Sequence, residues 1–215
     1  MHIIFLGPPG SGKGTQSVKV TEAFDIPHIS TGDIFRAAIA NRTPAGILAK
    51  EYVDKGMLVP DEVTIKVVEE RIVQKDCQKG FLFDGFPRTL AQARALDELT
   101  KKLNIKLDAV VDLVVDKAVL LDRIVGRKVC PKCGASYHVK NMPPKKEGIC
   151  DICGSELTTR KDDNPEAMKI RLDAYEKETA PLTSYYEKKG LLKKIDALQD
   201  IDKVTMDILN ALKEN

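Results

Sequence analysis

No stretch of this 215-residue chain approaches the roughly 18 apolar residues of a membrane-spanning helix, and the opening apolar run stops at Gly7. A soluble, cytoplasmic protein without a secretory leader or a membrane partner is therefore expected. An excess of one charge is missing too. The 34 Lys and Arg face 32 Asp and Glu, which argues against a general binder of nucleic acid or of membrane surfaces. Repeats, low-complexity tracts and long linkers are absent, so one substantial core carrying insertions is expected rather than two full domains. Histidine is scarce, and His2, His28 and His138 are assigned no catalytic role. Arginine is sparse as well, nine residues against 25 lysines. If lysine is the ordinary surface cation here, arginine is reserved for places that need its planar, forked donor set, such as phosphate oxygens.

What is present begins with GPPGSGKGT at residues 7–15, directly after the apolar run Ile3, Ile4, Phe5, Leu6 and before a stretch of helical character. Gly7, Gly10 and Gly12 let the backbone turn its N–H groups inward. The following helix adds its positive N-terminal end, and Lys13 supplies a mobile charge for outer phosphates. A nucleoside triphosphate is the expected ligand. The strict pattern has Ser or Thr immediately after the lysine; Gly14 intervenes here before Thr15, so a magnesium contact for Thr15 does not follow from the pattern.

Short apolar runs alternate with longer amphipathic ones, the pattern of a parallel sheet covered by helices in an α/β fold. Strands are expected at 2–6, 27–30, 80–84, 109–115 and 191–195, and helices at 13–24, 61–76, 89–103, 117–127, 164–188 and 200–213. Val110, Val111, Leu113, Val114 and Val115, interrupted by Asp112, read as a strand buried on both faces. Residues 30–59 and 126–163 break the rhythm and read as insertions. The run Phe81, Leu82, Phe83 ends in Asp84, placing a carboxylate at the strand end where such sheets collect ligands, on the side of a bound metal. Gly85, Phe86, Pro87 and Arg88 then form a tight turn that presents a guanidinium beside it.

Cys130, Cys133, Cys150 and Cys153 form two Cys-x-x-Cys pairs, the spacing of a four-thiolate zinc site. Such a filled tetrahedron leaves no open position, so the metal is expected to be structural. Iron or cobalt fit the same ligands, and disulfides are the alternative in an oxidising compartment. Cys77 reads as a free thiol without a role.

GPPGSGKGTQ at 7–16, STGDIFR at 30–36, DGFPRT at 84–89 and TTRKDD at 158–163 together resemble the adenylate kinase family, in its long-lid, zinc-binding bacterial form, over essentially the whole chain. The resemblance implies the P-loop nucleoside monophosphate kinase fold: a parallel five-stranded sheet flanked by helices, with two inserted mobile segments. Residues 1–29, 60–125 and 164–215 would form the core, 30–59 the AMP-binding segment and 126–163 the zinc-binding lid. The implied activity is reversible, Mg2+-dependent transfer of the terminal phosphoryl group of ATP to AMP, giving two ADP, in the service of adenine nucleotide homeostasis, by a monomer that binds no nucleic acid.

By the same resemblance, ATP would meet Gly10, Ser11, Gly12, Lys13, Gly14, Thr15, Arg123, Arg127, Ser136, Tyr137 and Gln199. AMP would meet Thr31, Arg36, Met57, Leu58, Val59, Gly85, Phe86, Pro87, Arg88, Gln92, Arg160 and Arg171. Asp84 would hold magnesium through water, and Lys13, Arg88, Arg123, Arg160 and Arg171 would carry the chemistry. A phosphoryl group in flight spreads negative charge over its oxygens, so fixed cations matter more than a covalent nucleophile, and no general base is needed. Arg123 and Arg127 are expected on one helical face near a helix end, with Asp122 nearby. Asp162 and Asp163 are expected to position Arg160 or Arg123 when the lid shuts.

Two alternatives stay open on the residues alone. One is a kinase for another nucleoside monophosphate. The other is a nucleotide-gated module whose ribbon meets nucleic acid through Lys140, Lys145, Lys146 and Lys161, although only Tyr137 interleaves with those lysines.

Overall fold

Three apolar runs, flanked by the more polar strands at His28–Ser30 and Leu192–Asp196, assemble into a single parallel sheet whose carboxyl ends gather most of the polar residues singled out above. The structure, a computed structural model, describes residues 1–213. The first half of the chain forms β1 (His2–Leu6), α1 (Lys13–Phe24), β2 (His28–Ser30), α2 (Thr31–Ala40), α3 (Pro44–Val53), α4 (Asp61–Ile72), β3 (Phe81–Asp84) and α5 (Leu90–Lys102). The second half forms β4 (Ala109–Val114), α6 (Leu120–Val125), β5 (Arg127–Val129), β6 (Ser136–His138), α7 (Pro165–Ala174), α8 (Pro181–Glu187), β7 (Leu192–Asp196) and α9 (Ile201–Lys213).

The large sheet has the order β2-β3-β1-β4-β7, all parallel, and β5 and β6 pair separately as an antiparallel hairpin. β1 lies at the centre, with Phe5 opposite Asp84 on one side and Val111 on the other. Because successive side chains alternate across a strand, β1 feeds two cores. Ile4 and Leu6 join Phe83 and Val110 beneath α4, α5 and α8, while Ile3 and Phe5 join Leu82 and Val111 beneath α1 and α9. Burial on both faces explains why these strands read as continuous apolar runs. No helix among the described residues is long and apolar enough to cross a membrane.

Three helix expectations change. The segment 164–188 is not one helix: α7 passes into a π-helical turn at Tyr175–Thr179, and α8 restarts at Pro181, whose missing N–H cannot continue an α-helical ladder. The segment 61–76 ends as α-helix at Ile72, followed by a 3-10 turn at Lys75–Lys79. The segment 117–127 shrinks to α6 after a 3-10 turn, which moves Arg127 off that helix and onto β5, so Arg123 and Arg127 share no helical face.

Candidate functional site: a phosphate loop facing a ring of arginines

The loop between β1 and α1 is built for close backbone approach. Gly7, Gly10 and Gly12 take φ of 136°, 84° and 99°, a region that L side chains rarely enter. At Gly7 a Cβ would also stand 2.9 Å from the Leu113 carbonyl oxygen, so the loop is pressed against the end of β4. α1 begins at Lys13 with no side-chain cap on its first N–H groups, leaving a positive helix end at the loop. Lys13 Nζ donates to the carbonyls of Gly7 at 2.7 Å and Pro8 at 3.0 Å, folded over the loop that carries it. Burial pushes its pKa down to about 8, opposed by Asp84 and aided by Arg88, Arg171 and Arg127. Thr15 lies two residues into α1, half-buried beside the exposed Gly14.

Asp84 ends β3, one strand away from the loop. A Cβ on Gly14 would lie 3.7 Å from Asp84 Oδ2, which places the carboxylate beside the first turn of α1. Burial works against its charge, yet His28, Lys13 and Arg88 together hold the carboxyl below the usual carboxylate range. His28 Nε2 stands 3.5 Å from Asp84 Oδ2, an electrostatic contact without hydrogen-bond geometry, since that nitrogen has no hydrogen-bond partner. A histidine given no role from sequence thus sits against the acid; its isolation in the chain hides a partner 56 positions away.

Beside this carboxylate the chain opens a pocket lined by Thr31, Arg36, Met57, Leu58, Val59, Gly85, Arg88, Gln92 and Arg171, together with Gly32, Phe35, Val53, Gly56, Thr64 and Asp162. Most residues expected on the AMP side therefore meet in one place. Phe86 and Pro87 are buried beneath it, joined by a cis peptide bond. Arg88 Nε donates to the Gly85 carbonyl at 2.8 Å, and the Thr31 hydroxyl donates to the same oxygen at 2.8 Å, so one carbonyl orients both. Burial lowers the pKa of Arg88 in spite of Asp84.

Arg160 and Arg171 close the ring from the segment after β6. Burial, with Arg36 and Arg127 nearby, pushes Arg160 down to about 10; burial, partly offset by Asp162, pushes Arg171 down to about 10. Burial thus lowers the pKa of Lys13, Arg88, Arg160 and Arg171 alike, and a like charge nearby adds to it in each case. An anion between them relieves what burial and mutual repulsion impose. Asp163, with no exposed side-chain surface, receives Arg127 through Nε at 2.8 Å and through its second amino group, and Asp162 takes Arg171 at 3.0 Å. The acid pair therefore hydrogen-bonds Arg127 and Arg171, while Asp163 acts on Arg160 through charge alone. Arg123 donates instead to the Ala197 carbonyl just past β7 at 3.0 Å, and Asp122 pairs with Lys140.

Other residues expected on the ATP side hold partners of their own. Gln199 Nε2 donates to the Asp196 carbonyl and to Asp207, and the buried Tyr137 hydroxyl accepts from Asp151 N–H at 2.8 Å. Ser136 begins β6 opposite Val129. Among the described residues, no hydrogen bond or ion pair joins Ser136, Tyr137 or Gln199 to the glycine loop. Sequence reasoning missed Asp33, which receives both Arg36 and Arg160, although it stands within the quoted motif STGDIFR.

The four cysteines converge. Their Sγ atoms all lie within 4.8 Å of one another, with Cys130–Cys153 at 3.4 Å and Cys133–Cys150 at 3.5 Å, too long for disulfides. Two matching turns build the cluster. Gly134 N–H bonds the Cys130 carbonyl and Gly154 N–H bonds the Cys150 carbonyl, with both glycines at positive φ. A tetrahedron of thiolates around one ion at about 2.3 Å has edges of about 3.8 Å, so the donor set fits a four-coordinate metal.

The family profile described as Adenylate kinase matches residues 5–191. A protein named Adenylate kinase from Carboxydothermus hydrogenoformans is 56% identical over 214 residues, covering 100% of both chains. One of the same name from Caldanaerobacter subterraneus subsp. tengcongensis is 55% identical, over 99% of this chain and 96% of its own. Another from Clostridium botulinum is 53% identical, over 99% and 98%. With a glycine loop, an opposing arginine ring and a match that runs through nearly the whole sequence, the chain belongs to the adenylate kinase family.

Proposed function

We infer that the protein catalyses reversible phosphoryl transfer from ATP to AMP, giving two ADP. The observation that carries this is the ring of Lys13, Arg88, Arg160 and Arg171, all with pKa values lowered by burial, between the glycine loop and the pocket lined by Thr31 and Gln92. ATP phosphates lie on the loop and the α1 end, from Gly10 to Thr15, with Arg123, Arg127, Ser136, Tyr137 and Gln199 on the far side of the nucleotide. AMP lies in the pocket, its phosphate on Arg36, Arg88 and Arg171 and its base beside Met57, Leu58, Val59 and Gln92. Fixed guanidinium groups then meet charge that grows on the transferring group, which is the main demand of this chemistry.

Asp84, whose carboxyl is held ionised next to the loop, would hold Mg2+ through water, and the ion would supply charge that neutralises phosphate oxygens. Zn2+ fits the four-thiolate cluster and ties the two cysteine turns together. Residues 30–59 and 126–163 act as separate moving segments on a core of 1–29, 60–125 and 164–215. Closure excludes water, the competing acceptor. The protein acts as a cytoplasmic monomer, maintaining adenine nucleotides.

A coupled assay for ADP from ATP plus AMP, repeated with CMP, UMP and GMP, tests the reaction and its acceptor. Lys13→Ala and Arg88→Ala are each expected to lower turnover by about 100-fold or more. Undiminished turnover in both variants refutes the assigned site.

A further inference from the structure

Gln92 is gripped by two partners of opposite hydrogen-bonding character. Its Oε1 accepts from Arg88 N–H at 2.7 Å, and its Nε2 donates to Asp61 Oδ1 at 2.7 Å. The second Asp61 oxygen receives the Thr89 hydroxyl at 2.9 Å, and Thr89 Oγ1 accepts from Gln92 N–H at 3.1 Å, capping α5. Asp61 is the first residue of α4, so the contact also joins the starts of two helices.

A carboxylate only accepts and a backbone N–H only donates. Turning the Gln92 amide over would set oxygen against oxygen at Asp61 and N–H against N–H at Arg88, so the amide has one orientation. One hydrogen on Nε2 and one lone pair on Oε1 remain after these bonds. Gln92 is 2% exposed and lines the same pocket as Thr31 and Arg88, whereas Asp61 is not among the lining residues.

We propose that Asp61 is a positioning residue for acceptor-base selection, locking the Gln92 amide so that the pocket accepts the donor–acceptor order of a 6-aminopurine and rejects the reversed order of a 6-oxopurine. A 6-aminopurine offers an exocyclic N–H beside an unprotonated ring nitrogen, which meets Oε1 and Nε2 together. A 6-oxopurine offers a carbonyl oxygen beside a ring N–H. A free amide serves either edge by turning over; a locked one leaves polar groups of the 6-oxopurine unpaired on burial. The inference rests on placing AMP in this pocket.

The experiment measures kcat/KM with AMP and with IMP for the wild type, Asp61→Ala, Asp61→Asn and Gln92→Ala. Asparagine still presents an oxygen to Gln92 Nε2 and an amide to Thr89. Asp61→Ala removes one of the two partners and leaves only the Arg88 N–H to oppose the turned-over amide; it is expected to lower the AMP-over-IMP ratio by about ten-fold, mainly through KM for AMP, while Asp61→Asn stays within about three-fold of wild type. Should alanine lower the melting temperature, Asp61→Ser keeps a good helix-start residue yet is too short to reach Gln92. An unchanged ratio in Asp61→Ala or Asp61→Ser, or an equal fall in Asp61→Asn, overturns the proposal. An unchanged KM for AMP in Gln92→Ala instead overturns the pocket assignment beneath it, so the two failures are distinct.

Discussion

Arg160 donates to Asp33 Oδ1 at 3.3 Å across 127 positions of chain, and the same oxygen receives Arg36 at 2.6 Å. An ion pair thereby links the segment after β6 to α2, the first helix of the proposed AMP-binding segment. Burial disfavours charge on Asp33, but Arg36 and Arg160 hold its carboxyl below the usual range. One carboxylate thus holds two guanidinium groups at the place where a phosphate is expected to sit.

That arrangement separates the group that meets phosphate from the group that holds it ready. Arg160→Ala is expected to lower kcat/KM by about 100- to 1000-fold, and Arg160→Lys to recover little, because lysine lacks the fork that spans two oxygens. Asp33→Asn keeps an acceptor for both arginines and is expected to cost less than about ten-fold. The coupled ADP assay reads all three. Full activity in Arg160→Lys removes the argument from guanidinium geometry.

Lys13 provides a pH signature. Its pKa is pushed down from 10.5 to about 8, so near pH 8 about half of the nucleotide-free protein carries a neutral amine there. On the proposed placement ATP brings negative charge to Nζ and raises that pKa, so binding is expected to take up protons. At pH 6.5 the amine is already charged and nothing is left to take up at this group; at pH 8 uptake approaches about half a proton. Titration calorimetry in two buffers of different ionisation enthalpy measures it. Equal uptake at both pH values counts against a depressed Lys13.

The strands were legible because burial on both faces leaves a run of apolar residues with no polar face to confuse the period. His2–Leu6 and Phe81–Asp84 differ from the expected 2–6 and 80–84 by at most one residue. The glycine loop was legible for a similar reason, since its backbone demands particular residues in a fixed order. The helices α2 and α3 went unassigned although Thr43 before Pro44 is a helix-start signal, with the Thr43 hydroxyl accepting from Gly46 N–H. Lateral partners were the least legible. Asp61 opens α4 and reads as an ordinary acid favouring a helix start, and nothing local shows Gln92 31 positions away.

Gly46 reports on the proposed AMP-binding segment alone. α3 crosses α2 so closely that a Cβ here would lie 2.1 Å from the Ala38 carbonyl oxygen, backbone that cannot rotate aside. Gly46→Ala is expected to separate the two helices, costing about 1–3 kcal/mol and raising KM for AMP more than KM for ATP. Thermal melting and two-substrate kinetics check both parts. An unchanged melting temperature contradicts the close crossing.

Metal removal tests the cysteine cluster against the rest of the chain. The small apolar group around Cys130, Tyr137 and Cys150 is separate from the two cores that pack on the large sheet. The hairpin β5–β6, the single β-bridges Val129 with Thr158, His138 with Met142 and Ile149 with Glu156, and the Asp151 N–H bond to the Tyr137 hydroxyl hold this small unit in register. A metal bound by four thiolates contributes directly to the folding of such a unit. Chelation is therefore expected to lower the melting temperature by several degrees, since about 1 kcal/mol corresponds to about 2–4 °C at this chain length. Hydrogen exchange is expected to rise first across residues 126–163, while β1, β3 and β4 stay protected. Elemental analysis confirms that the metal has left, and an unchanged melting temperature after that loss contradicts a structural role for it.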